Sequence, residues 1–313
     1  MDLKQIEYIL KIAEENNITH AAEKLYISQS ALNQQLLKLE KELGTELFHR
    51  SRTDWRPTEA GKIYIAAAKE IMHIKQNTYN QIFDLEHQRK GNLSIGFTPN
   101  RGTSMFSNVY PKFHAMHPQI VVEPVELSVA EQLTRISEHS LDVGFLTLLP
   151  YQQKTGFSYT PMKTEEIYLA VPASMQFEAE KKTALYTKQT VSPGRFQFPT
   201  MSLKHLKNEA FVLLYKQSTL RILVDLLFRN AGYEPHILFE TASTYTILNM
   251  IEAGLCCGLI PEYYVDPDNR KINYYCLPEH PTWEVVSCCN ARAYTSEAAK
   301  DFIALAHEFW NSL

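Results

Sequence analysis

Residues 18–42, ITHAAEKLYISQSALNQQLLKLEKE, constrain this chain more than any other stretch. Their spacing predicts two short helices joined by a tight turn at Tyr26 and Ile27. Thr19 is placed to cap the first helix, and Ala21, Ala22 and Leu25 give it a compact inner side. Ser28 is placed to cap the second, along which Leu32, Leu36, Leu39 and Leu43 recur as one apolar stripe. The opposite side then carries Ser30, Asn33, Gln34, Lys38 and Lys41, with Gln29 at its N-terminal edge. Asn and Gln pair well with adenine and Ser with several bases, so such a face reads base edges in a major groove. A polar face that is simply solvated is the plain alternative. The short alanine-rich first helix and the tightness of the turn favour a helix-turn-helix instead.

Three runs carry a family resemblance: DLKQIEYILKIAEENNITHAAEKL, SQSALNQQLLKLEKELGTELFHR and PTEAG, within residues 2–61. This segment resembles the N-terminal domain of LysR-type transcriptional regulators, without a gap. The family usually has Ser where Asn33 stands, Arg where Thr53 stands and Leu where Pro57 stands. The resemblance implies a winged helix-turn-helix with Thr19, Ser28, Gln29, Ser30, Asn33, Gln34 and Lys38 at DNA. Residues 50–57 would form the wing, with Arg50, Arg52 and Arg56 on phosphates or in the minor groove.

Charge supports this locally rather than in bulk. Residues 1–90 hold thirteen Lys or Arg and thirteen Asp or Glu, so the net charge of −4 belongs to the remainder. Within residues 49–62, however, His49, Arg50, Arg52, Arg56 and Lys62 face only Asp54 and Glu59. Such a cluster suits a phosphate backbone.

Asp2 followed by Gln5 predicts a capping box for a first helix whose inner positions are Leu3, Ile6, Leu10 and Ala13. Gly44 ends the recognition helix. Thr58 caps a long run to about Glu86 with Ala60, Tyr64, Ala67, Ile71, Ile74 and Leu85 on a near-heptad seam. The resemblance implies that this helix also pairs two chains.

From Leu93 the pattern becomes βαβαβ: LSIGFT, a helix from about Ser104 to Met116, IVVEPVEL, a helix from about Val129 to His139, then LDVGFLT. EEIYLAVP, AFVLLY, HILFET and GLIP with two further helices repeat the theme. A last strand near residues 283–289 and a helix from about Ser296 to Trp310 would return to the first lobe. Residues 91 to about 310, with LDVGF and MIEAGLCCGLIP, resemble the same family's effector domain, which has the two-lobed periplasmic-binding-protein fold. The fold class expected is thus α/β and multidomain: a winged helix-turn-helix over 1–58, a linker and dimerisation helix over 59–90, and an effector domain over 91–313. Its lobe I would span about 91–163 and 270–313, and lobe II about 164–269. Residues 175–202 read as a longer connection than is usual for the family.

Ligand sites in such sheets lie at strand ends. Thr98, Asn100, Thr103, Ser104, Ser128 and Thr147 on one lobe, and Gln217, Ser218 and Thr219 on the other, are the expected effector contacts. Helix N-termini favour an anion, so a carboxylate metabolite is the expected class. Arg101 and Arg221 could pair with an acidic ligand, but ordinary surface pairing is the preferred reading for each.

An enzyme, or a small-molecule-binding module without DNA contact, is the competing class. There is no GxSxG, HExxH or phosphate-binding glycine loop, and a pure binding module leaves the 29–38 face unexplained. The five cysteines lack zinc-finger spacing and a reactive setting, so no metal, cofactor or thiol switch is expected. No membrane span or export signal is read, which places the chain in the cytoplasm. The expected partners are double-stranded promoter DNA, a small-molecule effector and a second copy or three more of the chain, with RNA polymerase a further candidate.

Overall fold

The computed structural model describes residues 2–50, 55–86, 90–175, 189–192 and 195–313. Three helices open the chain: α1 (Leu3–Glu15), α2 (Ile18–Lys24) and α3 (Gln29–Leu43). The Asp2 and Gln5 side chains form the expected box on α1. Its buried residues are Gln5, Ile6, Ile9 and Ile12, while Leu3 is exposed and Leu10 and Ala13 are half-buried. The isoleucines at steps of three define the inner face, so the expected stripe through Leu3 and Leu10 is rotated towards its edge.

On α2, Asn17 and not Thr19 is the cap, accepting from the backbone N–H groups of Thr19 and His20. Thr19 lies one residue inside the first turn, where its hydroxyl has no free N–H ahead of it to accept. Ser28 caps α3 by accepting from Ala31 N at 3.2 Å. Leu32, Leu36 and Leu39 are buried, but Leu43 is 45% exposed because α3 ends there at left-handed Gly44, past the edge of the core.

A two-stranded antiparallel wing follows, β1 (Phe48–Arg50) and β2 (Trp55–Pro57). Then comes α4 (Glu59–Leu85), capped by Thr58. A Cβ on Gly61 would sit 2.0 Å from the Leu47 carbonyl oxygen, so only glycine lets α4 start this close to the wing. Isoleucines from α1, alanines from α2, leucines from α3, Phe48, Trp55, Tyr64 and Ala68 make one core. Each large apolar side chain among them contributes about 1.5–3 kcal/mol on burial.

The rest of the chain forms β3 (Lys90–Phe97), α5 (Arg101–Met116), β4 (Gln119–Glu126), α6 (Val129–Ser137), β5 (Val143–Leu148) and β6 (Phe157–Pro172). Next are β7 (Gln189–Ser192), β8 (Arg195–Gln197), β9 (Ala210–Leu214), α7 (Thr219–Ala231), β10 (His236–Thr241) and α8 (Thr244–Glu252). The last elements are β11 (Gly258–Pro261), β12 (Ile272–Tyr275), β13 (Thr282–Asn290) and α9 (Glu297–Asn311). In the first lobe β3 lies between β4 and β5, parallel to both. β13 pairs antiparallel with β5, and α9 packs beside α5, so the chain end does return to this lobe. The second lobe has β9 parallel to β10, covered by α7 and α8.

One strand belongs to both lobes. The first part of β6 pairs with β13, and its last part pairs with β11 and β12. The expected strand and helix order is present, with α5 starting at Arg101, three residues earlier than predicted. Within the long 175–202 connection, residues 176–188, 193 and 194 lie outside the described residues. β7 and β8 form an antiparallel hairpin there, and Phe198 then packs edge-on against Tyr168 at 5.4 Å.

Candidate nucleic-acid interface and inter-lobe site

The leucines of α3 face inward, which turns Gln29, Ser30, Gln34 and Lys38 outward as exposed residues, with Asn33 half-buried beside them. Among the described residues Gln29, Asn33, Gln34 and Lys38 make no side-chain hydrogen bond, and Ser30 meets only the Ser28 hydroxyl, at 3.1 Å. Thr19 is exposed on the neighbouring helix. Tyr26, read from sequence only as part of the turn, is 95% exposed in a left-handed conformation (φ 55°) just before α3. An aromatic side chain held there is a candidate DNA contact that spacing alone does not reveal.

On the wing, the Arg50 guanidinium donates to Glu40 and lies 5.9 Å from the centre of Trp55. Glu40, buried on the inner side of α3, also accepts from Leu47 N at 2.8 Å. Arg50 therefore ties the wing to the recognition helix, whereas the sequence points it at phosphate. Arg56 is exposed on β2. Arg52 lies outside the described residues.

α4 divides its apolar residues between two faces. Tyr64 and Ala68 are buried, with Ala60 and Ile71 packed against the same core. Ile63, Ala67, Ile74 and Leu85 form a second stripe that is exposed, with Ile63 at 74% and Leu85 at 78%. Elsewhere α4 leans on the first lobe. Lys69 pairs with Glu138 at 2.8 Å, the His73 ring stacks on His139 at 4.1 Å, and Asp84 accepts from the Tyr294 hydroxyl at 2.8 Å. Burial, and then the neighbouring His139, hold the His73 imidazole below the usual histidine range.

The strand-end residues of the effector domain do not all converge. Thr147 and Thr219 are both buried and meet across the lobes, the Thr219 hydroxyl donating to the Thr147 carbonyl at 2.8 Å. Thr103 and Ser104 both lie in the first turn of α5, where the sequence places Thr103 in the loop before it, and Thr103 donates to Glu126 at 2.8 Å. Ser128 is spent in a capping box with Glu131, its hydroxyl donating at 2.7 Å, and Ser218 caps α7. Gln217 is exposed, whereas Thr98 and Asn100 are half-buried. Asn100 precedes α5 with φ 66° and no side-chain cap, so the α5 N-terminus faces the strand ends without a carboxamide over it.

The two arginines are buried, not surface-paired as expected. Arg221 donates to Asp225, to Glu240 and to the Leu214 carbonyl. Arg101 donates to Glu165 at 2.7 Å and lies 4.8–5.5 Å from the centres of Trp310, Trp283 and Tyr263. Trp283 Nε1 donates to the same Glu165 oxygen at 2.8 Å. Distant segments build this box, so spacing in the sequence gives no sign of it. Arg221 is taken up by these three acceptors, whereas Arg101 Nη2 is buried with no hydrogen-bond partner among the described residues.

All five cysteines are buried free thiols. Burial pushes Cys256 up to about 11 and Cys257, Cys288 and Cys289 up to about 12. Cys276 follows β12 rather than lying on a strand, and it shares its surroundings with Glu166 and His280.

Comparison with known proteins gives one answer. Residues 3–62 match the bacterial regulatory helix-turn-helix protein, lysR family, and residues 86–311 match the LysR substrate binding domain. The transcriptional regulators YcgK and YwbI of Bacillus subtilis (strain 168) are 27% and 29% identical, with 98% and 97% of this chain and 94% and 95% of theirs covered. The fold is that of a full-length OxyR variant from Pseudomonas aeruginosa (TM-score 0.71, 22% identity, 98% of both chains). It is also that of full-length CbnR complexed with its target DNA (TM-score 0.60, 20% identity, 98% of this chain and 99% of that one). With both parts matched in order over nearly its whole length, the chain belongs to the LysR family: it is a DNA-binding transcriptional regulator with a C-terminal effector-binding domain and not an enzyme.

Proposed function

We propose that the chain acts in the cytoplasm and reads promoter DNA with Gln29, Ser30, Asn33, Gln34 and Lys38, helped by Tyr26 and flanked by Arg52 and Arg56 on phosphates. The outward polar face of α3, free of side-chain hydrogen bonds to the described residues at four positions, is the observation that carries this reading. Two chains pair through the exposed Ile63, Ala67, Ile74 and Leu85 stripe, which places two recognition helices on two half-sites. Pairing of two such dimers gives the tetramer. No helix among the described residues is long and apolar enough to cross a membrane.

The effector is a small carboxylate held between the lobes at the α5 N-terminus, near Thr98, Asn100 and Ser104, with Gln217 and Ser218 facing from the second lobe. The long, uncapped α5 supports an anion there. The deciding experiment is fluorescence anisotropy on a preferred operator. Gln29→Ala or Asn33→Ala should cost about 1–3 kcal/mol and narrow the gap between specific and random DNA. Arg52→Ala should weaken all DNA alike and flatten the salt dependence. Unchanged affinity and discrimination in all three would remove α3 and the wing from the interface.

A further inference from the structure

Away from both sites, three side chains of metal-ligand chemistry meet at the place where β6 passes from one lobe to the other. Glu166 on β6, Cys276 just after β12 and His280 just before β13 bring a carboxylate oxygen, a thiol sulfur and a ring nitrogen within 4.8 Å of one another. Glu166 Oε1 is 2.7 Å from His280 Nδ1. Glu166 and Cys276 are buried, whereas His280 is 61% exposed.

The backbone fixes this arrangement. β12 and β13 both pair with β6, and residues 276–281 loop out between them. Cys276 is held by two main-chain bonds, from its N–H to the Pro199 carbonyl at 3.0 Å and from Met201 N to its own carbonyl at 2.9 Å. The far end of the loop is held by Ile167 N donating to the Pro281 carbonyl at 2.9 Å. His280 closes the turn on the Leu277 carbonyl with φ 44°. An ordinary hydrogen bond accounts for Glu166 and His280, but not for a thiol brought to the same point.

We propose that Glu166, Cys276 and His280 form a three-ligand site for a zinc-like divalent cation on the strand shared by the two lobes. Mixed sulfur, nitrogen and oxygen ligation suits such a cation, with a water completing the tetrahedron on the exposed His280 side. Zn–S bonds of about 2.3 Å and Zn–N or Zn–O bonds of about 2.0–2.2 Å set the ligand atoms roughly 3.3–3.7 Å apart. The Glu166–His280 hydrogen bond therefore opens as the ion enters, and the sulfur closes in. Binding as thiolate, carboxylate and neutral imidazole releases the Cys276 thiol proton to solvent. The bound ion would pin the 276–281 loop to β6 at the crossing.

The test is a titration of the full-length, chelator-treated protein with Co²⁺, followed by competition with Zn²⁺. One ion per chain is expected, with thiolate-to-cobalt charge transfer in the near ultraviolet, d–d bands in the visible, and loss of both on adding Zn²⁺. Cys276→Ser should abolish the charge-transfer band. His280→Gln, a change at an exposed side chain that keeps the far-ultraviolet circular dichroism, should weaken binding at least about tenfold, or about 1.4 kcal/mol. No stoichiometric uptake, or uptake that survives unchanged in His280→Gln, would overturn the site. If Cys276→Ser fails to fold, His280→Gln alone decides.

Discussion

Arg101 at the start of α5 and Glu165 on β6 meet at 2.7 Å with both side chains buried, under a roof of two tryptophans and a tyrosine. Removing one charge strands the other away from water. Glu165→Leu should therefore cost about 3–5 kcal/mol in urea unfolding. Arg101→Met with Glu165→Leu should restore much of that loss. Losses that simply add in the double variant would show that the two charges are not coupled.

Ile63 and Ile74 stand out from α4 at 74% and 64% exposure. Ile63→Glu with Ile74→Glu should leave the folded chain intact but shift it to monomers in analytical ultracentrifugation. Operator affinity should then fall by about tenfold or more, because the second half-site no longer adds. A dimer that persists unchanged would relocate the contact.

His73 gives the docking of α4 on the first lobe a pH dependence. Its folded value is depressed, so the unfolded state takes up the proton first as pH falls, at about 6.5. The stability of the packed form is fully present above that pH and is lost below it, as pH falls through the folded value. Thermal melting from about pH 7.5 to about pH 5 should show the loss, and His73→Gln should reduce it. Equal slopes would mean that His73 is not the titrating group.

The thiols should be inert. Burial leaves almost no thiolate at neutral pH, so Ellman's reagent should react slowly with the native protein and release five equivalents in denaturant. Fast reaction of even one thiol in the native state would contradict the burial described.

What can be read in the sequence is what is local. Ser28, Gly44, Thr58 and the Asp2–Gln5 pair act within one helical turn, and their residue types announce them. The inner face of α1 departs from its expected stripe because two apolar stripes overlap in LKQIEYILKIA and only packing against α2, α3 and α4 chooses between them. Arg101 looks like a surface residue in the sequence because its partners sit 64, 162, 182 and 209 positions away. Glu166 is silent for the same reason: its chemistry comes from residues more than a hundred positions further on.

β6 runs without interruption through both lobes, paired with β13 over residues 157–166 and with β11 and β12 over residues 167–172. The halves are thus not two jaws on a slack tether. Relative motion has to be taken up as torsion in a pleated ribbon, which resists sliding far more than it resists winding. A signal from the pocket would leave as a small rotation of one end of the molecule, of the kind that a rigid paired scaffold can turn into a changed angle between two distant points.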